Sequence, residues 1–242
     1  MKLIENIKKI GEGKFYDEDE EIIEVKLLPG LNAQQILALK KQIPQENMPT
    51  EVSTLLEHTA GLSFEYYFMD EISFTDFGPF GFNQLIPFCL TLTGDGAGNF
   101  WLIDISSNGE WGSVYFVCHD PALIVKQAEN ITEFIHQLHN ELLSPSSSLI
   151  SEISDQSLME IYKNTTLLKS FEDVMKSGDS DLQSFASQFD EDWFFGDLRK
   201  AKIGEGFSLV ANYSDTIRHD DELIWAMKKP KSILSKFKNL FK

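Results

Sequence analysis

Residues 93–105 read TGDGAGNFWLIDI, a glycine-rich stretch followed by an apolar run. Glycine adopts positive φ values at no steric cost, so the alternating glycines favour a tight connection. A second apolar run, Leu85 to Thr93, precedes them, and two such runs joined by a short glycine-containing loop are typical of a β-hairpin. A phosphate-binding loop would need a Lys-Ser/Thr ending or a helix directly after the glycines. This segment has neither.

The strand pattern continues beyond the hairpin. A turn at Ser106 to Gly109 leads into a third apolar run, Gly112 to Cys118, and connections this short join antiparallel strands. Trp101 alternates with Ile103 and Ile105, which predicts that these side chains face the core. The sequence therefore predicts an antiparallel meander of three strands.

Helical patterns flank the meander on both sides. Asn32 followed by Gln35 has the form of a capping box, and apolar residues recur at helical spacing in three segments. The predicted helices, with their capping residues, are Ala33 to Gln42 (Asn32), Glu51 to Thr59 (Thr50) and Ile131 to Leu143 (Asn130 or Thr132).

Five segments in a fixed order carry a family resemblance. They are the Pro-flanked helix at 28–44, the Met-Pro-led helix at 48–61, the Gly-Asp-Gly-Ala-Gly-Asn-Phe-Trp hairpin at 94–104, the strand ending in His-Asp at 112–120 and the helix opening at 131–134. This order resembles the SMI1/KNR4, or SUKH, superfamily over about residues 27–143. Met48-Pro49 replaces the Leu-Pro of the members and Ala60-Gly61 replaces their Asn-Gly, which bears on the bounds of the second helix.

The resemblance implies an α+β domain with a mixed or antiparallel sheet flanked by helices, and no known catalytic activity. It also implies two uses. Many bacterial members resemble immunity proteins that neutralise polymorphic toxins, often nucleases, by direct binding, whereas fungal relatives are associated with the regulation of cell-wall synthesis.

The resemblance does not reach the last third of the chain, and serine-rich Ser144 to Ser148 predicts a linker before it. Helical patterns at 157–169 and 180–189, and a short β pair formed by 206–213 and 223–227, predict a C-terminal α+β extension. The predicted domains are 1–145 (SMI1/KNR4-like), 149–227 (the extension) and 228–242 (a basic amphipathic tail).

The tail, Lys228 to Lys242, has apolar residues at helical spacing among its lysines. Three alternatives stay open for the tail. It docks on the acidic body of its own chain, it makes peripheral contact with an anionic membrane, or it is a disordered end.

The net charge of the chain limits the classes of partner that it can bind. The net charge is −17, and the last fifteen residues hold six lysines and no acid, so residues 1–227 carry −23. Such a body repels nucleic acid and attracts basic proteins, although an acidic surface also serves solubility alone. The two cysteines lie in apolar runs, and the N-terminus lacks the apolar core of a signal peptide. We therefore expect a cytoplasmic protein without a disulfide framework.

Candidate partner-binding residues lie in two turns and at one strand end. An aromatic side chain beside an acid is a plausible anchor for a protein partner, and polar groups at a hairpin tip face outward. The histidine of the His-Asp pair either forms a hydrogen bond across its turn or contacts a partner. The predicted partner-binding residues are Asp95, Asn99, Glu110, Trp111, His119 and Asp120.

No catalytic residue, cofactor site or metal site is predicted. Cys118 and its neighbour His119 lie in one strand and point to opposite faces. His136 and His139 share a helix face, but a third metal ligand is missing. Hydrolysis by a carboxylate pair such as Asp70 with Glu71 stays open, although adjacent positions argue against cooperation.

These observations favour a bacterial immunity protein that binds a basic toxin, a nuclease being one class that fits. The alternative is a scaffold or regulator of cell wall or envelope synthesis that reaches the membrane through its tail.

Overall fold

A computed structural model describes residues 2–17, 19–65, 68–69, 71–80, 85–157, 160–161, 167–209 and 216–229. Its helices are α1 (Lys2–Glu12), α2 (Ala33–Lys40), α3 (Thr50–His58), α4 (Ile131–Leu143), α5 (Leu149–Ser151), α6 (Phe171–Lys176) and α7 (Ser180–Ala186). Short 3-10 turns occupy Pro44–Glu46 and Pro145–Ser147, and a π-helical stretch, Glu152–Ser157, follows α5.

The strands form three sheets. They are β1 (Phe15–Tyr16), β2 (Ile22–Leu27), β3 (Gly61–Glu65), β4 (Glu71–Ser73), β5 (Phe77–Gly78), β6 (Cys89–Gly94), β7 (Phe100–Ile105), β8 (Trp111–His119), β9 (Ala122–Ala128), β10 (Leu168–Ser170), β11 (Trp193–Asp197), β12 (Gly206–Ser208), β13 (Thr216–Arg218) and β14 (Ile224–Lys228). The central sheet has the order β12-β9-β8-β7-β6-β5, the N-terminal sheet β1-β2-β3-β4 and the C-terminal sheet β10-β11-β14-β13. Every strand pair in the described residues is antiparallel.

The central sheet is buried on both faces. On one face, Trp101, Ile103 and Phe116 join a core that includes side chains of α1, α3, α4 and the N-terminal sheet. On the other face, Leu102 and Tyr115 join a core that includes the C-terminal sheet. Two buried faces explain the uninterrupted apolar runs Phe100 to Ile103 in β7 and Val114 to Cys118 in β8.

The C-terminal sheet forms a further layer. Trp225 and Met227 of β14 point toward the central sheet, whereas Ile224 and Ala226 pack against α6 and α7 on the opposite side. The layers therefore run from the N-terminal helices through the central sheet and the C-terminal sheet to α6 and α7. This arrangement is α+β, as the sequence predicts.

A buried ion pair joins the two sheets. The guanidinium of Arg218 in β13 donates two hydrogen bonds of 2.7 Å to the carboxylate of Asp104 in β7, and the two side chains are only 4% and 8% exposed. Arg218 Nε also donates to the carbonyl of Glu222 at 2.9 Å, and the guanidinium lies 5.4 Å from the ring centre of Trp225. A buried charge is tolerated only when it is paired and hydrogen-bonded, and each of these two groups supplies what the other needs.

Two more contacts tie the C-terminal half to the hairpin region. Trp225 Nε1 donates to the carbonyl of Leu85 at 2.8 Å, and β12 adds the sixth strand to the central sheet beside β9. Ser148, in the segment predicted as a linker, is buried and caps the start of α5. The division at residues 145–149 stays a prediction about domains, made on composition alone.

Most predicted elements are confirmed, with shifts at their ends. The predicted cap Thr50 is wrong, because Thr50 is the first residue of α3 and its N-cap, Pro49, makes no side-chain cap hydrogen bond. The capping box of Asn32 and Gln35 is present, and α4 matches its predicted bounds with Asn130 as cap. The predicted β pair between 206–213 and 223–227 is wrong for its described part, because β12 and β14 belong to different sheets, and residues 210–213 lie outside the described residues. The predicted helix over 157–169 is wrong at Leu168 and Lys169, which lie in β10, and part of it lies outside the described residues. The proposed tail is described only as far as Lys229.

The ion pair sets a stability prediction. Arg218→Met leaves the Asp104 carboxylate buried without a cation, so we expect the free energy of unfolding to fall by about 3–5 kcal/mol. The double variant D104L/R218M removes both charges and should recover most of that loss. Urea denaturation measures the free energy of unfolding of the unmodified protein, the single variant and the double variant.

The control for this series is Glu172→Gln, which breaks the exposed ion pair of Glu172 with Lys176 and should leave the unfolding midpoint unchanged. If Arg218→Met destabilises no more than this control, the buried pair does not hold the two sheets together.

Candidate functional site

The glycine-rich hairpin tip is held by one carboxylate. Asp95 Oδ1 accepts hydrogen bonds from the backbone N–H groups of Ala97 at 2.9 Å and Asn99 at 3.1 Å. Its other oxygen accepts from Asn99 Nδ2 at 2.6 Å. Gly96 and Gly98 have φ values of +70° and +94°, which residues with a Cβ rarely adopt. The glycines therefore serve the turn.

The tip continues into the end of β8. Asn99 Oδ1 accepts from the backbone N–H of His119 at 3.2 Å and lies 3.3 Å from His119 Nδ1. A Cβ on Gly98 would approach that ring nitrogen to 3.1 Å, so glycine makes room for the imidazole. The predicted hydrogen bond of His119 across its own turn is replaced by contacts with Asn99 of the neighbouring hairpin. Asp120 follows it, exposed, at the turn into β9.

The other two predicted residues lie at the opposite end of the sheet. Glu110 precedes β8 and Trp111 begins it, opposite Ile105 at the far end of β7. The six-residue strand β7 separates them from the hairpin tip by about 17 Å at the usual rise per residue. The structure thus divides the six predicted residues into a tip group and a turn group. Their roles in partner binding stay predictions.

A cleft of about 480 Å³ opens beside the turn group. Its buried floor is formed by Val52, Ile103 and Ile131, and the half-buried ring of Trp111 lies beside them. The other lining residues are Asn47, Pro49, Glu51, Gly109, Glu110, Gly112 and Asn130. Most of these residues were missed by sequence reasoning, because they come from three segments far apart in the chain.

Hydrogen bonds hold Trp111 and the β7–β8 turn against the loop before α3. Trp111 Nε1 donates to the carbonyl of Asn47 at 2.8 Å, and Asn47 Nδ2 donates to the carbonyl of Gly109 at 3.0 Å. Gly109 has a φ of +82°, and a Cβ there would lie 2.6 Å from the carbonyl oxygen of Pro44. Only glycine fits this close approach.

The C-terminal extension holds the same turn from the other side. Asp221 accepts a hydrogen bond from the backbone N–H of Ser107 at 2.9 Å and another from the Ser107 hydroxyl. These bonds to the hydroxyl and the backbone lower the pKa of Asp221 below its ordinary value. The carboxylate is therefore charged at neutral pH and fixes Ser107 from a part of the chain more than a hundred residues away.

A second hollow, of about 350 Å³, lies next to Asp221. Its lining residues are Asp181, Ser184, His219, Asp220, Asp221 and Glu222. The imidazole of His219 stacks on Phe185 with ring centres 4.5 Å apart and an interplanar angle of 4°. The side chain of Arg218, just before this hollow, is buried, whereas Asp220, Asp221 and Glu222 are exposed.

The reactive side chains noted in the sequence lie elsewhere. Burial raises the pKa of the Cys118 thiol, and it raises that of Cys89 to about 12, so neither is ionised at neutral pH. Burial also lowers the pKa of His139, whose ring packs edge-on against Phe15. The described residues contain no cluster of His, Cys, Asp or Glu suited to a metal ion. Asp70, of the carboxylate pair, lies outside them.

Together the fold and these sites define an α+β scaffold that presents polar turns and an aromatic cleft. A family model described as the SMI1 / KNR4 family (SUKH-1) matches residues 3–137, more than half of the chain. The chain belongs to this family. No curated protein and no solved structure matches it. Within the described part of the chain, no helix combines the length and the apolar character that crossing a membrane requires.

The close approach at Gly109 yields a prediction. Gly109→Ala should destabilise the protein by more than the roughly 1–2 kcal/mol that a left-handed backbone costs an L-residue, because its Cβ also meets Pro44 and Asn47. Gly178→Ala is the matched control, with a φ of +74° and nothing within 4 Å of the added Cβ. Thermal unfolding compares the two, and equal losses would show that the turn is not packed against the loop.

Proposed function

We propose that this protein is a non-enzymatic, immunity-type binding protein that neutralises a basic protein toxin by direct, stoichiometric contact. Membership in the SMI1 / KNR4 family fits an immunity or related role. The observation that carries the choice of partner is the net charge of −17, which favours a partner of opposite sign.

The charge argument concerns both rate and selectivity. An acidic body steers a basic partner during diffusion, and like charges reject acidic partners and nucleic acid. A nuclease toxin must itself be basic to hold its polyanionic substrate. Capture by an acidic protein therefore uses the same charges that the toxin needs for its activity.

The geometry of the two groups of residues supports this proposal. At the hairpin tip, Asp95 and Asn99 are held by hydrogen bonds and His119 and Asp120 are exposed. The turn group adds a half-buried tryptophan and an exposed glutamate. Residues held in place before binding lose less conformational entropy when a partner arrives. Action in the cytoplasm belongs to the same proposal.

The rival function is a scaffold or regulator of cell wall or envelope synthesis that contacts the membrane through Lys228 to Lys242. Most of that tail lies outside the described residues, so the two functions are separated by their partners.

Affinity capture from the native cells tests the proposal. The purified chain is expected to retain one basic protein at low salt and to release much of it at high salt, because screening weakens attraction between exposed charges. That protein, produced alone in a bacterial host, should arrest growth. Production of this chain should restore growth once it reaches an equal molar amount.

Deletion of residues 230–242 is the matched control for the tail and should leave capture and rescue intact. Recovery of envelope proteins alone, lost on tail deletion, would support the scaffold and contradict the immunity function.

A further inference from the structure

We propose that the cleft beside Trp111 receives a partner loop that presents an arginine next to an apolar side chain. The inference rests on the proposed function for the identity of the partner, and on the geometry of the cleft for its chemistry. The hairpin tip lies at the other end of the sheet and contributes nothing to this pocket.

The shape of the cleft suits side chains of a protein. Its volume of about 480 Å³ lies within the roughly 300–1,000 Å³ of typical ligand pockets, too large for a single ion. Val52, Ile103 and Ile131 offer an apolar floor, and Trp111 offers an aromatic surface beside it. An apolar side chain buries its surface on such a floor, and a guanidinium packs well on the face of a tryptophan.

The rim of the cleft selects a cation. Glu51 and Glu110 are exposed lining residues, and no lysine or arginine belongs to the described lining. Arginine pairs with carboxylates through two parallel hydrogen bonds. A loop with one arginine and one apolar residue therefore meets both the charge and the floor.

Two helices begin at the cleft, and their N-termini favour an anion instead of a cation. The N-termini of α3 and α4 each carry about half a positive charge, and together they would attract an anion. Asn130 already caps α4 by accepting from the backbone N–H of Glu133 at 3.0 Å, and Glu51 lies in the first turn of α3. Two full negative charges exceed two partial positive ones, so the cleft favours a cation.

The extension belongs to this site although it lies outside the family match. Asp221 fixes Ser107, and the turn from Ser107 to Glu110 carries one carboxylate of the rim. The hollow lined by Asp181, Asp220 and Glu222 continues the acidic surface from that point. A basic partner seated in the cleft therefore meets further carboxylates supplied by the extension.

The test uses the full chain and a capped tripeptide, Leu-Arg-Leu, as the probe. The indole N–H signals of Trp101, Trp111, Trp193 and Trp225 are followed by heteronuclear NMR. We expect the Trp111 signal to shift during titration, whereas the buried Trp101 and Trp225 signals stay in place. The capped peptide Leu-Glu-Leu should cause no shift.

Charge variants then assign the rim. Glu51→Gln and Glu110→Gln should each weaken the peptide about threefold and together about tenfold, as expected for exposed ion pairs. Glu57→Gln is the matched control, since it removes one exposed glutamate from the other end of the same helix, and it should leave binding unchanged. Asp221→Asn should weaken binding through Ser107.

The outcomes separate the cleft from the proposed function. If the Trp111 signal does not shift with Leu-Arg-Leu, or if it shifts with Leu-Glu-Leu, the proposed preference of the cleft for arginine is wrong. It is also wrong if a captured basic partner has the same affinity for E51Q/E110Q and E57Q, although the proposed function then stands. If no basic partner is captured but Leu-Arg-Leu shifts Trp111 as predicted, the proposed function fails and the cleft's preference for arginine stands.

Discussion

The carboxylate of Asp104 lies on the side of the central sheet that the C-terminal sheet covers, and Arg218 neutralises it there. The rest of the arrangement depends on this pairing, because an unpaired charge between two apolar sheets would cost several kcal/mol. Leu102 and Tyr115 stand on the same face of the central sheet, and Trp225 and Met227 cover them from the C-terminal side. The family-matched part and the extension therefore share one core, in which the ion pair fixes how one sheet lies on the other.

The local elements could be predicted because their signals lie within a few residues. The capping box at Asn32, the glycine turn from Gly94 to Gly98 and the period of α4 each specify their own structure. Helix α1 and strand β9 were missed although their signals are present, since Leu3, Ile7 and Ile10 recur at helical spacing and Leu123 to Val125 form a short apolar run. The pairing of β12 with β9 could not be read either, because three residues carry too little pattern to name a partner strand far away in the chain.

The candidate site shows the same limit more sharply. Glu110 and Trp111 were predicted from the sequence as binding residues. The cleft is also lined by Asn47, which precedes α3, and by Glu51, which lies within it. The contact that holds its turn comes from Asp221, more than a hundred residues later. No spacing rule connects these positions, because tertiary packing alone brings them together. The hairpin tip was easier to read, since the Asp95 and Asn99 contacts are local.

The buried ion pair and the shared core imply that the two sheets unfold as one cooperative unit. Native-state hydrogen exchange of the full chain, followed at increasing concentrations of denaturant, tests it directly. We expect the backbone amides of β7, β8 and β14 to exchange through one common opening with the same free energy. If β14 exchanges through an opening of lower free energy that leaves β7 and β8 protected, the two sheets are not one cooperative unit. The extension would then be a separately folding attachment.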